Sequence, residues 1–248
     1  MKKFTAILLA LLLLAAMTGC TGPAPSTTPA KTEPTDTTPS TTAAPTTPPT
    51  TVPPTTVPPT TAPQIVENPL VGETVDNVYT NAFLGITCRL DEGWTVFNKE
   101  QLAQLAGMTS DLLDNDAIED AMEKGTVVTA FYAQGQGGQA NMNITLERLS
   151  LINGILMDEE SYAKLSKEQL PAALASAGFE NVTAETVKLQ FAGEERHGIE
   201  VRATIQGVEL YETLVCIKNG NYMAGVVVCS VGTDITDSLL ALFQKLPT

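Results

Sequence analysis

The stretch VELYETLVCIKNGNYMAGVVVCSV, residues 208–231, holds two runs rich in β-branched and aromatic residues on either side of Asn219-Gly220. Such a pair reads as a β-hairpin. Along residues 222–231 the apolar side chains occupy consecutive positions where a half-exposed strand would alternate. Both faces of that strand must therefore be covered, and the rest of the chain has to supply the cover.

Working outward, residues 182–191 and 198–205 read as two further strands, with Gly193, Gly198 and Gly207 at the corners. Upstream, TVVTAFYAQ and ANMNITLERLS form a hairpin joined by GQGGQ, and FLGITCRL, residues 83–90, reads as a strand followed by a short extended EGWTV. Four helical segments lie between and around these. Asn98 caps one through KEQLAQLAG, and Ser110 caps a second through DLLDNDAIEDAMEKG, with Gly107 and Gly125 as stops. Residues 158–178 form the longest, begun by acids, ended by Gly178 and kinked or split at Pro171. DITDSLLALFQKL closes the chain as a helix. The expected architecture is α+β: an antiparallel sheet of about six strands between helical layers.

The N-terminus has a different character. Lys2 and Lys3 precede an apolar run over residues 4–17, and Thr18-Gly19 place small residues before Cys20. That order is a signal peptide, too short to span a bilayer, which takes about 20 residues. Met17-Thr18-Gly19-Cys20 resembles the bacterial lipobox, with Met17 where leucine is usual. The resemblance implies removal of residues 1–19 and lipid on the Cys20 thiol, and two or more acyl chains anchor stably. Residues 20–64 are a stalk of Thr, Pro, Ala and Ser that cannot bury enough apolar surface to fold. In polyproline II, at about 3.1 Å per residue, its 44 residues after Cys20 reach on the order of 130 Å.

Residues 65–248 have the length of a single domain. Only Glu33 and Asp36 among the acids, and Lys2, Lys3 and Lys31 among the bases, lie earlier, leaving 26 acids against 11 bases and a net charge of −15. Such a surface repels phosphate backbones and anionic headgroups. No nucleic-acid binding is expected, and the membrane contact is expected through the lipid on Cys20 alone. The element order, with FLGI on the first strand and Gly93-Trp94 just after, resembles the PsbP-like domain, named after an accessory subunit of photosystem II, over about residues 79–246. Glu92 stands where such domains commonly carry a proline. The resemblance implies an α-β-α sandwich, a binding or assembly role and no shared catalytic residue; lipoproteins with Thr/Pro stalks look like those of Gram-positive bacteria.

The residues themselves offer little chemistry. His197, in GEERHG between two expected strands, is the only histidine, so a His-dependent triad has one candidate base, read as an exposed turn residue. Cys88, Cys216 and Cys229 show no C-x-x-C spacing for zinc. With Asn219-Gly220 as a two-residue turn, Cys216 faces Met223 and Cys229 lies six residues further, about 20 Å away, beyond the roughly 7 Å reach of a disulfide. All three are expected as buried thiols. Asp111, Asp114, Asp116, Glu119 and Asp120 lack the glycine and glutamate of an EF-hand loop and read as a solvated helix face. GQGGQ lacks the lysine and Ser/Thr of a phosphate loop. Trp94 is expected as a core anchor over a sugar-stacking platform. No catalytic residue, metal ligand or cofactor is assigned. The reading is an extracytoplasmic binding or interaction module on the outer face of a bacterial membrane, recruiting a protein or envelope component. A small-ligand or divalent-cation receptor is the alternative, and a carboxylate-based hydrolase is the remote one.

Overall fold

Residues 208–231 form the expected hairpin, β9 (Val208–Asn219) and β10 (Tyr222–Val231), in register from Leu210–Val231 to Asn219–Tyr222. The turn is therefore Gly220-Asn221, one residue later than expected. Gly220 has φ +56°, which glycine alone adopts without steric cost. The shift changes the pairing: Cys216 faces Gly225, not Met223. Cys229 then lies four residues on, about 13 Å away, and still out of disulfide range.

The computed structural model describes residues 70–105 and 115–247. The remaining elements, in chain order, are β1 (Glu73–Val75), β2 (Val78–Asn81), β3 (Ile86–Arg89), β4 (Trp94–Val96), α1 (Lys99–Leu105), α2 (Asn115–Glu123), β5 (Val128–Gly135), β6 (Ala140–Arg148), α3 (Leu151–Leu156), α4 (Glu159–Ser176), β7 (Glu180–Phe191), β8 (Glu194–Ile205), then α5 (Thr236–Leu240) and β11 (Phe243–Lys245) after the hairpin. They build two antiparallel sheets. One has seven strands in the order β4-β5-β6-β10-β9-β8-β7, the other four in the order β1-β2-β3-β11.

This corrects the expected sandwich: the fold is mostly β, and one of the two helical layers foreseen is largely a second sheet. One face of the large sheet carries Phe131, Ile144, Val215, Val226 and Val228, which pack with Tyr79, Ile86 and Cys88 of the small sheet, Ile118 and Met122 of α2, and Leu239 and Leu240 of α5. The opposite face carries Ile199, Val201, Leu214, Cys216 and Val227, packed against Tyr162, Ala163, Leu170 and Leu174 of α4. Covered on both sides, β10 has no need of alternation, which explains its consecutive apolar residues.

Two local causes produce the second sheet. At its start Asn81, fully buried, donates from Nδ2 to the Leu70 carbonyl (2.9 Å) and to the Tyr79 hydroxyl (2.9 Å), while its Oδ1 accepts from the Leu84 amide (2.8 Å). Every hydrogen-bonding group of that amide side chain finds a role in fixing the chain entry. At its end, the closing helix expected through residue 246 stops at Leu240, and Phe243–Lys245 pairs with β3, Phe243 opposite Cys88. Phe243 is buried against Phe191, with ring centroids 5.3 Å apart, and Gln244 and Lys245 face solvent. That burial holds the segment extended.

Three smaller differences stand beside these. Helix α4 continues through Pro171 without a break. His197 lies inside β8, half-buried and opposite Lys188, not in an exposed turn, because β8 starts at Glu194. The pairing of β5 with β6 shifts between Thr129 and Phe131, a bulge that turns both Ala130 and Phe131 toward the same core.

Candidate functional site

Cys20, the stalk and the Ser110 cap, with Asp111 and Asp114, lie outside the described residues. Of the acidic run, Glu119 and Asp120 are exposed on α2, as a solvated face requires. Asn98 caps α1 with a reciprocal pair: the Gln101 amide donates to Asn98 Oδ1 and the Asn98 amide to Gln101 Oε1, both at 2.9 Å. Trp94 packs into the core with its indole over Gly135, where an added Cβ would lie 2.6 Å from the ring. Residues 136–138 of GQGGQ make a single helical turn joining β5 to β6. Cys88, Cys216 and Cys229 are buried free thiols; burial pushes Cys88 up to about 12 and raises the other two well above the ordinary thiol range. A thiol held protonated is a weak nucleophile. Among the described residues no group of three or more His, Cys, Asp and Glu is placed to hold a metal ion.

Helix α3 was not among the expected elements. Ser150 caps it, accepting from the Asn153 amide at 3.4 Å, and the Leu149 amide donates to the Asn221 carbonyl at 2.7 Å. Gly154 is the buried residue of the helix: a Cβ there would sit 2.4 Å from Asn221 Oδ1. The helix thus lays its smallest residue against the β9–β10 turn. Its four large aliphatics point outward, with Leu151 75%, Ile152 70%, Ile155 78% and Leu156 75% exposed. This reverses ordinary amphipathic packing, in which the large apolar side chains face the core. The four side chains form an exposed apolar patch on an otherwise strongly acidic domain.

Beside it a cleft of about 350 Å³ runs between the end of α2 and the start of α3, lined by Glu123, Thr126, Arg148, Ser150, Asn153 and Asn221 among others. Arg148 is ion-paired with Glu123 and lies over the Tyr222 ring, 6.0 Å from its centroid. A larger, open groove near β11 is lined by Leu189, Leu240 and Phe243, with Asp237 and Lys245; Lys245 is paired with Glu194 at 3.1 Å. Gln190, Asp237, Gln244 and Lys245 are the polar side chains of its lining.

A second feature lies inside. On the α4 side of the large sheet, cross-strand pairing sets Tyr132 opposite Asn143, and Cys229 between Asn141 and Glu212. All five are buried. The Tyr132 hydroxyl, both polar atoms of the Asn143 amide and Glu212 Oε1 have no hydrogen-bond partner. Burial alone raises the Glu212 carboxyl to about 8, so it is protonated at neutral pH. Burial, followed by the proximity of Cys229, raises the Tyr132 phenol to about 12. Glu147, two rows beyond Asn143 on the same face of β6, is raised by burial and partly relieved by the Tyr162 hydroxyl. Tyr132 and Glu212 are therefore protonated at neutral pH. Elsewhere Glu159, the first residue of α4, ties that helix to β8 and β9, accepting from Arg196 at 2.7 Å and from the Lys218 amide at 2.9 Å.

No family model matches the sequence, and no curated protein matches it. Among solved structures, the chain is similar to a protein from Bacteroides thetaiotaomicron, at 9% identity and a TM-score of 0.32, over 65% of this chain and 45% of that one. It is also similar to a Pseudomonas aeruginosa protein of unknown function described as a putative regulator, at 12% identity and a TM-score of 0.26, over 47% of this chain and 71% of that one. The chain spans less than half the length of the first. Neither likeness shows a PsbP-like domain, and neither is close enough to carry an argument about function.

Proposed function

We propose that the protein is a lipid-anchored interaction module on the outer face of a bacterial membrane, holding its folded domain out on the Thr/Pro stalk so that α3 can dock a protein. The observation that carries this is the outward set of Leu151, Ile152, Ile155 and Leu156, each at least 70% exposed. Exposing four large aliphatics on one short helix forgoes roughly 1.5–3 kcal/mol of burial apiece. Docking recovers it. The net charge of −15 over residues 65–248 argues against an anionic bilayer as the occupant, and the reach of the stalk removes any need for one. The reading involves no catalysis and no cofactor: the buried thiols and the Glu212 carboxyl are protonated, and His197 stands in a strand beside Lys188.

The alternative, a small-ligand receptor, has one observation in its favour, the unpartnered polar atoms of Tyr132, Asn143 and Glu212.

The test uses intact cells treated with a short crosslinker and a tagged chain, comparing wild type with Leu151→Ser/Ile155→Ser. Both chains should fractionate with the membrane, and proteins captured by the wild type should be lost from the variant. Identical captures by the two chains would overturn the assignment of α3.

A further inference from the structure

The outward face of α3 is bordered on both sides by uncompensated negative charge. Residues 115–126 and 147–164, which contain α2, the cleft wall, α3 and the start of α4, carry eight acids and three bases. Arg148 is engaged with Glu123, Lys164 with Glu160 at 2.6 Å and Glu159 with Arg196 at 2.7 Å, and burial raises the Glu147 carboxyl, so the exposed charges outside these groups include Glu119, Asp120 and Asp158 against Lys124. Glu119 and Asp120 are exposed on α2. Two residues past the end of α3, Asp158 caps α4, accepting from the Ser161 amide at 2.8 Å. Those bonds hold its carboxyl below the usual carboxylate range, so the charge persists at any physiological pH.

An apolar ridge between two acidic margins selects among occupants. A second copy of this chain would bring the same excess of acids against itself. An anionic bilayer would be repelled for the same reason. The chain's own stalk, residues 21–64, holds two acids and one base and no apolar pattern. What complements the surface is a segment with large apolar residues along one side and lysine or arginine along the other. The cleft beside Leu151, about 350 Å³, is polar where it meets the ridge, lined by Ser150, Asn153 and Asn221 together with the Arg148–Glu123 pair.

We infer that the partner presents a cationic amphipathic segment, its apolar side on Leu151, Ile152, Ile155 and Leu156 and its basic side chains toward Glu119, Asp120 and Asp158. This rests on the reading of α3 as the docking face and adds the chemistry of what docks. Charge complementarity of this kind fixes orientation and raises the association rate, while the apolar contacts supply affinity.

The probe is a labelled helical peptide with leucine along one face and lysine along the other. Its comparators are a twin with glutamate in place of every lysine and a lysine-glycine peptide of the same charge. Binding to the full mature chain is followed by fluorescence anisotropy at 0.15 M salt. The leucine-lysine peptide should bind about tenfold or more tightly than either comparator, a difference readily resolved. Leu151→Ser/Ile155→Ser and, separately, Glu119→Lys/Asp120→Lys should each weaken it by about tenfold, with unchanged far-UV circular dichroism confirming the fold. Equal binding of the lysine-glycine peptide, untouched by the α3 substitutions, would reduce the effect to bulk charge and overturn the inference. Equal binding of the glutamate twin, lost with the α3 substitutions, would overturn the cationic partner while leaving α3 as the docking face. If α3 substitutions alter neither the peptides nor the captures on cells, both readings fall. Co-sedimentation of the unacylated chain from residue 21 with phosphatidylglycerol vesicles, lost with the α3 substitutions, would assign the face to a bilayer and also refute the inference.

Discussion

Glu212 provides the most quantitative prediction. Its carboxyl is fully buried on β9 beside Cys229, with Oε1 unpartnered and the group held protonated to about pH 8, against 4.5 for the exposed side chain. The sign follows from proton counting. Between pH 4.5 and 8 the folded chain keeps this proton and the unfolded chain has lost it, so stability is greatest below 4.5 and declines until about pH 8. At 1.36 kcal/mol per pH unit, this group alone removes about 3.5 kcal/mol of stability between pH 5 and pH 8. That is a large fraction of the 5–15 kcal/mol typical of a domain. Glu212→Gln keeps the shape and removes the titration. Its amide brings a second unpartnered polar group that costs on the order of 1–3 kcal/mol at every pH, so the diagnostic quantity is the slope. Urea unfolding of the chain from residue 21, at half-unit steps from pH 5 to 8, should show wild type and variant converging or crossing as pH rises. Because Glu147 is also raised by burial, part of the decline persists in the variant, and the difference between the two curves isolates Glu212. Parallel curves would show that the Glu212 carboxyl reaches water or a partner in the folded protein, and would refute the reasoning.

Three further predictions follow the same logic. Gly135→Ala places a Cβ 2.6 Å from the Trp94 indole and should destabilise by about 1–3 kcal/mol, seen as a lower melting temperature and shifted tryptophan emission; an unchanged midpoint would place the ring elsewhere. Titration of the chain from residue 21 with a thiol reagent should detect none of Cys88, Cys216 and Cys229 in the native state and all three in denaturant, whereas a fast-reacting native thiol would contradict their burial. Cys20→Ala should release the chain from membranes into the medium, and its continued sedimentation with membranes would count against the lipid anchor.

The residues that were legible in the sequence are those whose neighbours in space are neighbours in the chain. The meander from β7 to β10 was visible because Gly193, Gly207 and Gly220 mark its three corners, although the pairing of β9 with β10 still slid by two residues when Gly220-Asn221 took the turn. The small sheet was not legible in this way. Phe243 pairs with Cys88 across more than half the chain, and nothing near ALFQKL distinguishes a short strand held by that pairing from the last turn of a helix. Helix α3 was missed for a related reason. LINGIL carries apolar residues of the kind that normally fill a core, and only the contact of Gly154 with Asn221 shows that the helix is docked by its glycine with its aliphatics outward. Glu212 did leave a trace. It falls in alternation with Leu210, Leu214 and Cys216, the face that α4 covers, so period two alone places an acid among buried apolar residues.

The claim on which the account stands is that α3 meets a protein outside the cell. A photo-crosslinking residue placed at Ile155, with Val208 as the control position, 44% exposed on β9, tests it directly on intact cells. The account predicts a discrete adduct from Ile155 that is absent from Val208 and is abolished by Leu151→Ser. Equal labelling from both positions, or no adduct from Ile155, would contradict it.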